Sequence, residues 1–122
     1  MSDHAHHWGH EVQNALMPLG KELRHEIPEV YTAFNALHAA TMGAGALDKK
    51  TKELIALSIA VTQKCDGCIA AHARGAARNG ASRAEVAEAI GVSILMSGGP
   101  GTVYGPRALD AYDDFAAGAP SA

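Results

Sequence analysis

The chain has 122 residues, a formal net charge of −3 with its histidines neutral, 48% apolar residues and only 5% aromatic ones. That length is one domain's worth of core. The charge offers no basic patch for nucleic acid, and no apolar run reaches the roughly 20 residues that span a bilayer.

Met1 to His10 is polar, carries His4, His6, His7 and His10, and lacks the apolar segment of a signal peptide. The expectation is a single domain over residues 1–122, with about the first ten as a loose, solvated tail, in the cytosol. A metal-binding role for the four histidines is the alternative. From about Glu11 to His25, the spacing Val12, Leu16, Leu19, Leu23 predicts an amphipathic helix, with Pro18 disturbing it. Pro28 suits the first turn of a second helix through Val30, Phe34, Leu37 and Met42, which ends at Gly43-Ala44-Gly45-Ala46. Asp48 is a good N-cap for a third helix, Lys49 to about Gln63, apolar nearly all round and therefore expected to be central and buried.

A break near Lys64 leads to a fourth helix, about Asp66 to Arg78, stopped by Asn79-Gly80. Ser82-Arg83-Ala84-Glu85 is a capping box for a fifth helix carrying Val86, Ile90, Ile94 and Leu95. Ser97-Gly98-Gly99-Pro100-Gly101 breaks that helix. A last one runs to about Phe115, with Pro106 at its start or kinking it. No segment alternates like a strand, so the predicted fold class is all-α, about six helices. Tyr104 and Tyr112 are read as core residues, and His25 and His38 as helix-face or surface residues. A core of Ala, Leu, Ile, Val and Met buries little area per helix, so part of the third helix's apolar surface is expected to be covered by another subunit.

The chemistry concentrates in Cys65-Asp66-Gly67-Cys68, followed four residues later by His72. The two cysteines, the only ones in the chain, lie one helical turn apart and His72 one turn beyond. Thiols that close can form a disulfide and be reduced again, and His72 can move the proton this needs. Both cysteines fall at a helix start, where free N–H groups and the dipole lower a thiol pKa from ~8.5 into a range of roughly 3.5–7.5. Gly67 adds no bulk between the sulfurs. If the third and fourth helices form a hairpin turning at Lys64, Glu53 and His72 lie within about 4.5 Å of one axial level at ~1.5 Å rise per residue. The row Glu53, His72, Cys68 then makes a proton relay in which Glu53 orients His72 and His72 deprotonates Cys68.

Two other readings stay open on the residues alone. The cysteines and His72 can be ordinary buried residues, with Glu53 placed for the helix dipole. Cys65, Cys68 and His72, with Glu53 or an N-terminal histidine as a fourth ligand, can hold zinc.

The stretch from Glu53 through His72, E-L-I-A-L-S-I-A-V-T-Q-K-C-D-G-C-I-A-A-H, resembles the core motif of the alkylhydroperoxidase D-like branch of the carboxymuconolactone decarboxylase family. The fifth helix and Gly98-Gly99-Pro100 are similar as well, so the resemblance covers roughly residues 20 to 117. It implies an all-helical subunit assembling into trimers or hexamers, and reduction of a small hydroperoxide through the cysteine pair, without a cofactor. A small dithiol or protein dithiol would restore the thiols. It implies that Cys68 attacks the peroxide and becomes a sulfenic acid, that Cys65 resolves it, and that Glu53 and His72 form the relay. The best-known members carry a His between the cysteines, where this chain has Gly67. The alternatives are a lactone enzyme of the decarboxylase branch, using Glu53 and His72, and a non-catalytic redox or metal-binding module.

Overall fold

A computed structural model describes residues 4–118 as six α-helices, and no strand occurs among them. In chain order these are α1 (His10–Glu26), α2 (Pro28–Met42), α3 (Lys49–Thr62), α4 (Asp66–Arg78), α5 (Arg83–Ser97) and α6 (Gly99–Ala116). The local signals act as their chemistry requires. Asp48 caps α3 by accepting the Thr51 amide at 2.8 Å. Ser82 and Glu85 close a reciprocal capping box on α5. Pro28 sits in the first turn of α2. Pro18 and Pro106 both lie inside helices, so Pro106 does not start the last one.

The break before α6 is narrower than the Gly/Pro run suggests. Gly98 alone leaves helical geometry, at φ 69°, and α6 starts on the next residue. Gly101 and Gly105, one turn apart, then let α6 approach α5 closely. A Cβ at Gly101 would lie 2.9 Å from the Ile94 Cα, and one at Gly105 would lie 2.7 Å from the Ile90 Cγ2.

The core lies among α3, α4, α5 and α6, where Leu57, Val61, Ile69 and Val86 are fully buried. Alanines at 70, 73, 76, 108 and 111 are buried with them, which is how an aromatic-poor chain packs helices tightly. Tyr112 is buried and donates its hydroxyl to the Ala81 carbonyl at 2.5 Å, pinning the α4–α5 turn to α6. Tyr104 is only half-buried. Tyr112→Phe is expected to cost about 1–3 kcal/mol, the loss of a buried hydrogen bond. Urea unfolding at fixed protein concentration reads this, and an unchanged midpoint would show that the hydroxyl contributes nothing.

Two expectations are corrected. The third helix is not buried around its circumference: Leu57, Ala60 and Val61 face inward, while Ile55 and Ile59 stay about half exposed. The larger uncovered apolar surface belongs to α1 and α2, where no residue is buried and Phe34 and Leu37 are 59% and 62% exposed. These two helices lie outside the four-helix core.

The N-terminal segment is also not loose from His4 onward; residues 1–3 lie outside the described part. The Trp8 amide donates to Asp110 and the His10 amide to Asp114, each at 2.8 Å. Burial pushes the Asp114 carboxyl up, but the His10 amide and ring outweigh it and hold the group below its ordinary value. Among the described residues, no helix is long and apolar enough to cross a membrane.

Candidate active site

The turn that presents the cysteines is a tight helix stop. Lys64 takes a left-handed conformation at φ 56°. Its amide bonds the Val61 carbonyl at 3.1 Å, and the Cys65 amide bonds the Ala60 carbonyl at 3.1 Å. This paired closure satisfies the last carbonyls of α3 and sends the chain straight into α4. Cys65 becomes the N-cap of α4, its sulfur accepting the Cys68 amide at 3.2 Å. The two sulfurs are bonded as a disulfide, with the Cα atoms 5.2 Å apart. Between them, Asp66 is held by Arg107 of α6 through contacts of 3.0 and 3.1 Å. That guanidinium lies 3.9 Å from the Trp8 ring centre and 4.4 Å from that of Tyr104.

The hairpin register brings Glu53 of α3 to His72 of α4, with Oε1 2.8 Å from Nδ1. Both side chains are mostly buried, at 12% and 21% exposure. A bond from Nδ1–H to a carboxylate leaves Nε2 as the basic nitrogen. The Glu53 carboxyl can lie so close to α4 because residue 75 has no side chain: a Cβ on Gly75 would overlap it.

Glu53, His72 and Cys68 line one open cavity of about 480 Å³, while Cys65 is not among its lining residues. Phe34 and His38 of α2 complete one wall, and Arg74 and Arg78 of α4 another. The His38 ring lies nearly parallel to that of His72, 6.3 Å between centres. A larger hollow of about 660 Å³ runs along Lys21 to Glu26 of α1 and contains neither cysteine nor the Glu53–His72 pair.

Of the four residues singled out in the sequence, Glu53, Cys68 and His72 therefore share one cavity, and Cys65 joins them through its bond to Cys68. His38 is exposed as expected, yet it stands at the cavity. Gly67 lines the same cavity beside Cys68, and a Cβ there would come 3.0 Å from the Leu16 side chain of α1. The N-terminal histidines do not join the cysteines: His6 contacts Glu11, His10 contacts Asp114, and His4 and His7 face Asp110. Gly75, Phe34 and His38 escaped the sequence reading. Gly75 carried a signal, as an isolated glycine inside a helix. The other two carried none, since only the placement of α2 brings them to the site.

A sequence model described as the Carboxymuconolactone decarboxylase family matches residues 28–111. The chain belongs to the carboxymuconolactone decarboxylase family. The family match runs from the start of α2 into α6 and spans Glu53, Cys65, Cys68 and His72. An uncharacterized protein from Haemophilus influenzae is 43% identical over 111 residues, 91% of this chain and 94% of its own length. A protein of Paracoccus denitrificans, described as uncharacterized protein 4 in the cox locus, is 40% identical over 83 residues, 68% of this chain and 75% of that one. Among solved structures, the apo form of a carboxymuconolactone decarboxylase family protein from Legionella pneumophila superposes with a TM-score of 0.83 at 39% identity. It covers 87% of this chain and 95% of its own. Six helices without a strand are thus the family fold.

Proposed function

We propose that this member of the family is a thiol peroxidase of the alkylhydroperoxidase D type. The observation that carries the reading is the convergence of Cys68, already paired with Cys65, and a Glu53-bonded His72 on one open cavity. In the reduced protein His72 takes the Cys68 proton through Nε2, with Glu53 holding the ring. The thiolate attacks the O–O bond of a small hydroperoxide. One oxygen stays on sulfur as a sulfenic acid, and the other leaves as an alcohol with the proton from His72. The Cys65 thiol then displaces water from the sulfenic acid and forms the disulfide. A small dithiol or protein dithiol reduces it by two electrons and is itself oxidised to a disulfide. The cytosol, where disulfides are mostly catalytic or transient, suits this cycle.

Thiol titration before and after one equivalent of hydroperoxide tests the reading. Two thiols lost per chain is the expected result. Retention of both would remove the peroxidase reading and leave lactone chemistry on the Glu53–His72 pair.

The functional form is proposed to be a homo-oligomer, a trimer or hexamer, joined through α1 and α2. These helices present an apolar hollow of about 360 Å³ lined by Leu23, Ile27, Val30, Tyr31 and Phe34. Small domains with uncovered apolar faces gain burial by symmetric association. Because Phe34 also lines the 480 Å³ cavity, a neighbouring subunit there would sit beside the active site. Light scattering at micromolar concentration should give the mass of several subunits. A persistent monomer would defeat the proposal.

A further inference from the structure

We infer that the N-terminal segment and α6 form a binding site for a divalent transition-metal ion, with His4, His7 and Asp110 as its protein ligands. It is separate from the cysteine chemistry. His4 Nε2 lies 2.7 Å from Asp110 Oδ1, and His7 Nδ1 lies 3.4 Å from the same oxygen. The three ligand atoms fall within 4.8 Å of one another. Around a tetrahedral zinc with bonds of about 2.0 Å, neighbouring ligand atoms stand about 3.3 Å apart, so a small opening of the His4 contact accommodates the ion.

Three further observations fit a built site. The His4 and His7 rings pack with centres 4.2 Å apart, both presenting a nitrogen to the same carboxylate. Asp110 is held in place by its other oxygen, Oδ2, which accepts the Trp8 amide at 2.8 Å. This is the outer-shell bond that orients a ligating carboxylate. His7 Nδ1 is buried and has no hydrogen-bond partner, its 3.4 Å approach to Asp110 lacking the geometry. A buried ring nitrogen left unpaired costs free energy that a metal bond would remove.

The donor set selects the ion. Two imidazoles and one carboxylate suit zinc, cobalt or nickel, whereas calcium and magnesium prefer all-oxygen shells. Three protein ligands leave a position for water. The neighbouring histidines do not compete, since His6 faces Glu11 and His10 bonds Asp114.

The test uses the full chain near neutral pH with the Cys65–Cys68 disulfide intact, so that thiolates take no metal. Co²⁺ and Zn²⁺ are titrated in turn. One Co²⁺ per chain should give visible d–d absorption that one Zn²⁺ displaces. The emission of Trp8, the chain's only tryptophan, should change with the same midpoint. His4→Ala, His7→Ala and Asp110→Asn should each weaken binding by at least about tenfold, the lower end of what even an outer-shell partner costs. His6→Ala and His10→Ala should leave it unchanged. Absence of saturable binding would overturn the inference. So would binding that survives both His7→Ala and Asp110→Asn, or loss as large in the His6 and His10 variants, which would mark a floppy histidine chelate. His4 is exposed on the terminal segment, so His4→Ala remains a valid test where Asp110→Asn fails to fold.

Discussion

Cys68→Ser should abolish hydroperoxide reduction down to background, while Cys65→Ser should still consume one equivalent of peroxide and then stall. The two sulfurs are close enough to be bonded, yet their surroundings differ. Cys68 lines the cavity and lies one helical turn from His72, so substrate and base reach it together. Cys65 is the N-cap of α4, with its sulfur engaged by the Cys68 amide. A serine at position 68 keeps the size of the side chain but cannot be ionised by a histidine, because a hydroxyl is far less acidic than a thiol. Without Cys65 the sulfenic acid has no thiol to condense with, so it accumulates and a dimedone-type reagent traps it on Cys68. Mass spectrometry of the trapped adduct decides the roles. An adduct found on Cys65 in Cys68→Ser, with none on Cys68 in Cys65→Ser, would reverse them.

The second large effect is expected from the relay. His72→Ala should slow peroxide reduction by about 10²-fold or more, the usual worth of a positioned general base. It should slow iodoacetamide alkylation of the reduced protein by up to about thirtyfold, the fall from full thiolate to the few per cent present at an ordinary thiol pKa. Glu53→Gln should be milder, because an amide can still hold the ring but no longer stabilises the imidazolium. Gly75→Ala should reproduce the Glu53 defect without touching either reacting group. Its added methyl would occupy the space of the Glu53 carboxyl. Overpacking there is expected to cost about 1–3 kcal/mol of stability, so the alkylation rate must be read on protein shown to be folded by circular dichroism. Unchanged rates in His72→Ala and Glu53→Gln would leave the α4 N-terminus as the only activator of the thiol.

The glycine substitution shows where sequence reasoning stopped. The Glu53–His72 contact follows from counting residues on either side of Lys64, because two helices in a hairpin have a fixed rise and a shared turn. Whether the carboxylate can come close enough depends on what occupies the facing position of α4. That is a property of the packed pair, and the counting does not contain it.

Much of this protein is set by local chemistry and is legible in the chain itself. The caps at Asp48 and Ser82, the stop at Gly80 and the proline in the first turn of α2 act within a few residues of where they stand. So does the one-turn spacing of Cys68 and His72, since helical periodicity alone places them on one face of α4. Other features depend on residues far apart in sequence, and only the tertiary structure decided them. His7 reaches Asp110, and Trp8 reaches Arg107, across about a hundred positions, through contacts that exist only once α6 has packed. Phe34 and His38 join the site because α2 is set beside α3 and α4. The apolar surface sits on α1 and α2 rather than around α3 because the inner face of α3 is claimed by α4, α5 and α6. A helix's pattern says how much apolar surface it carries; which neighbour covers that surface is settled by the competition among all six helices for one small core.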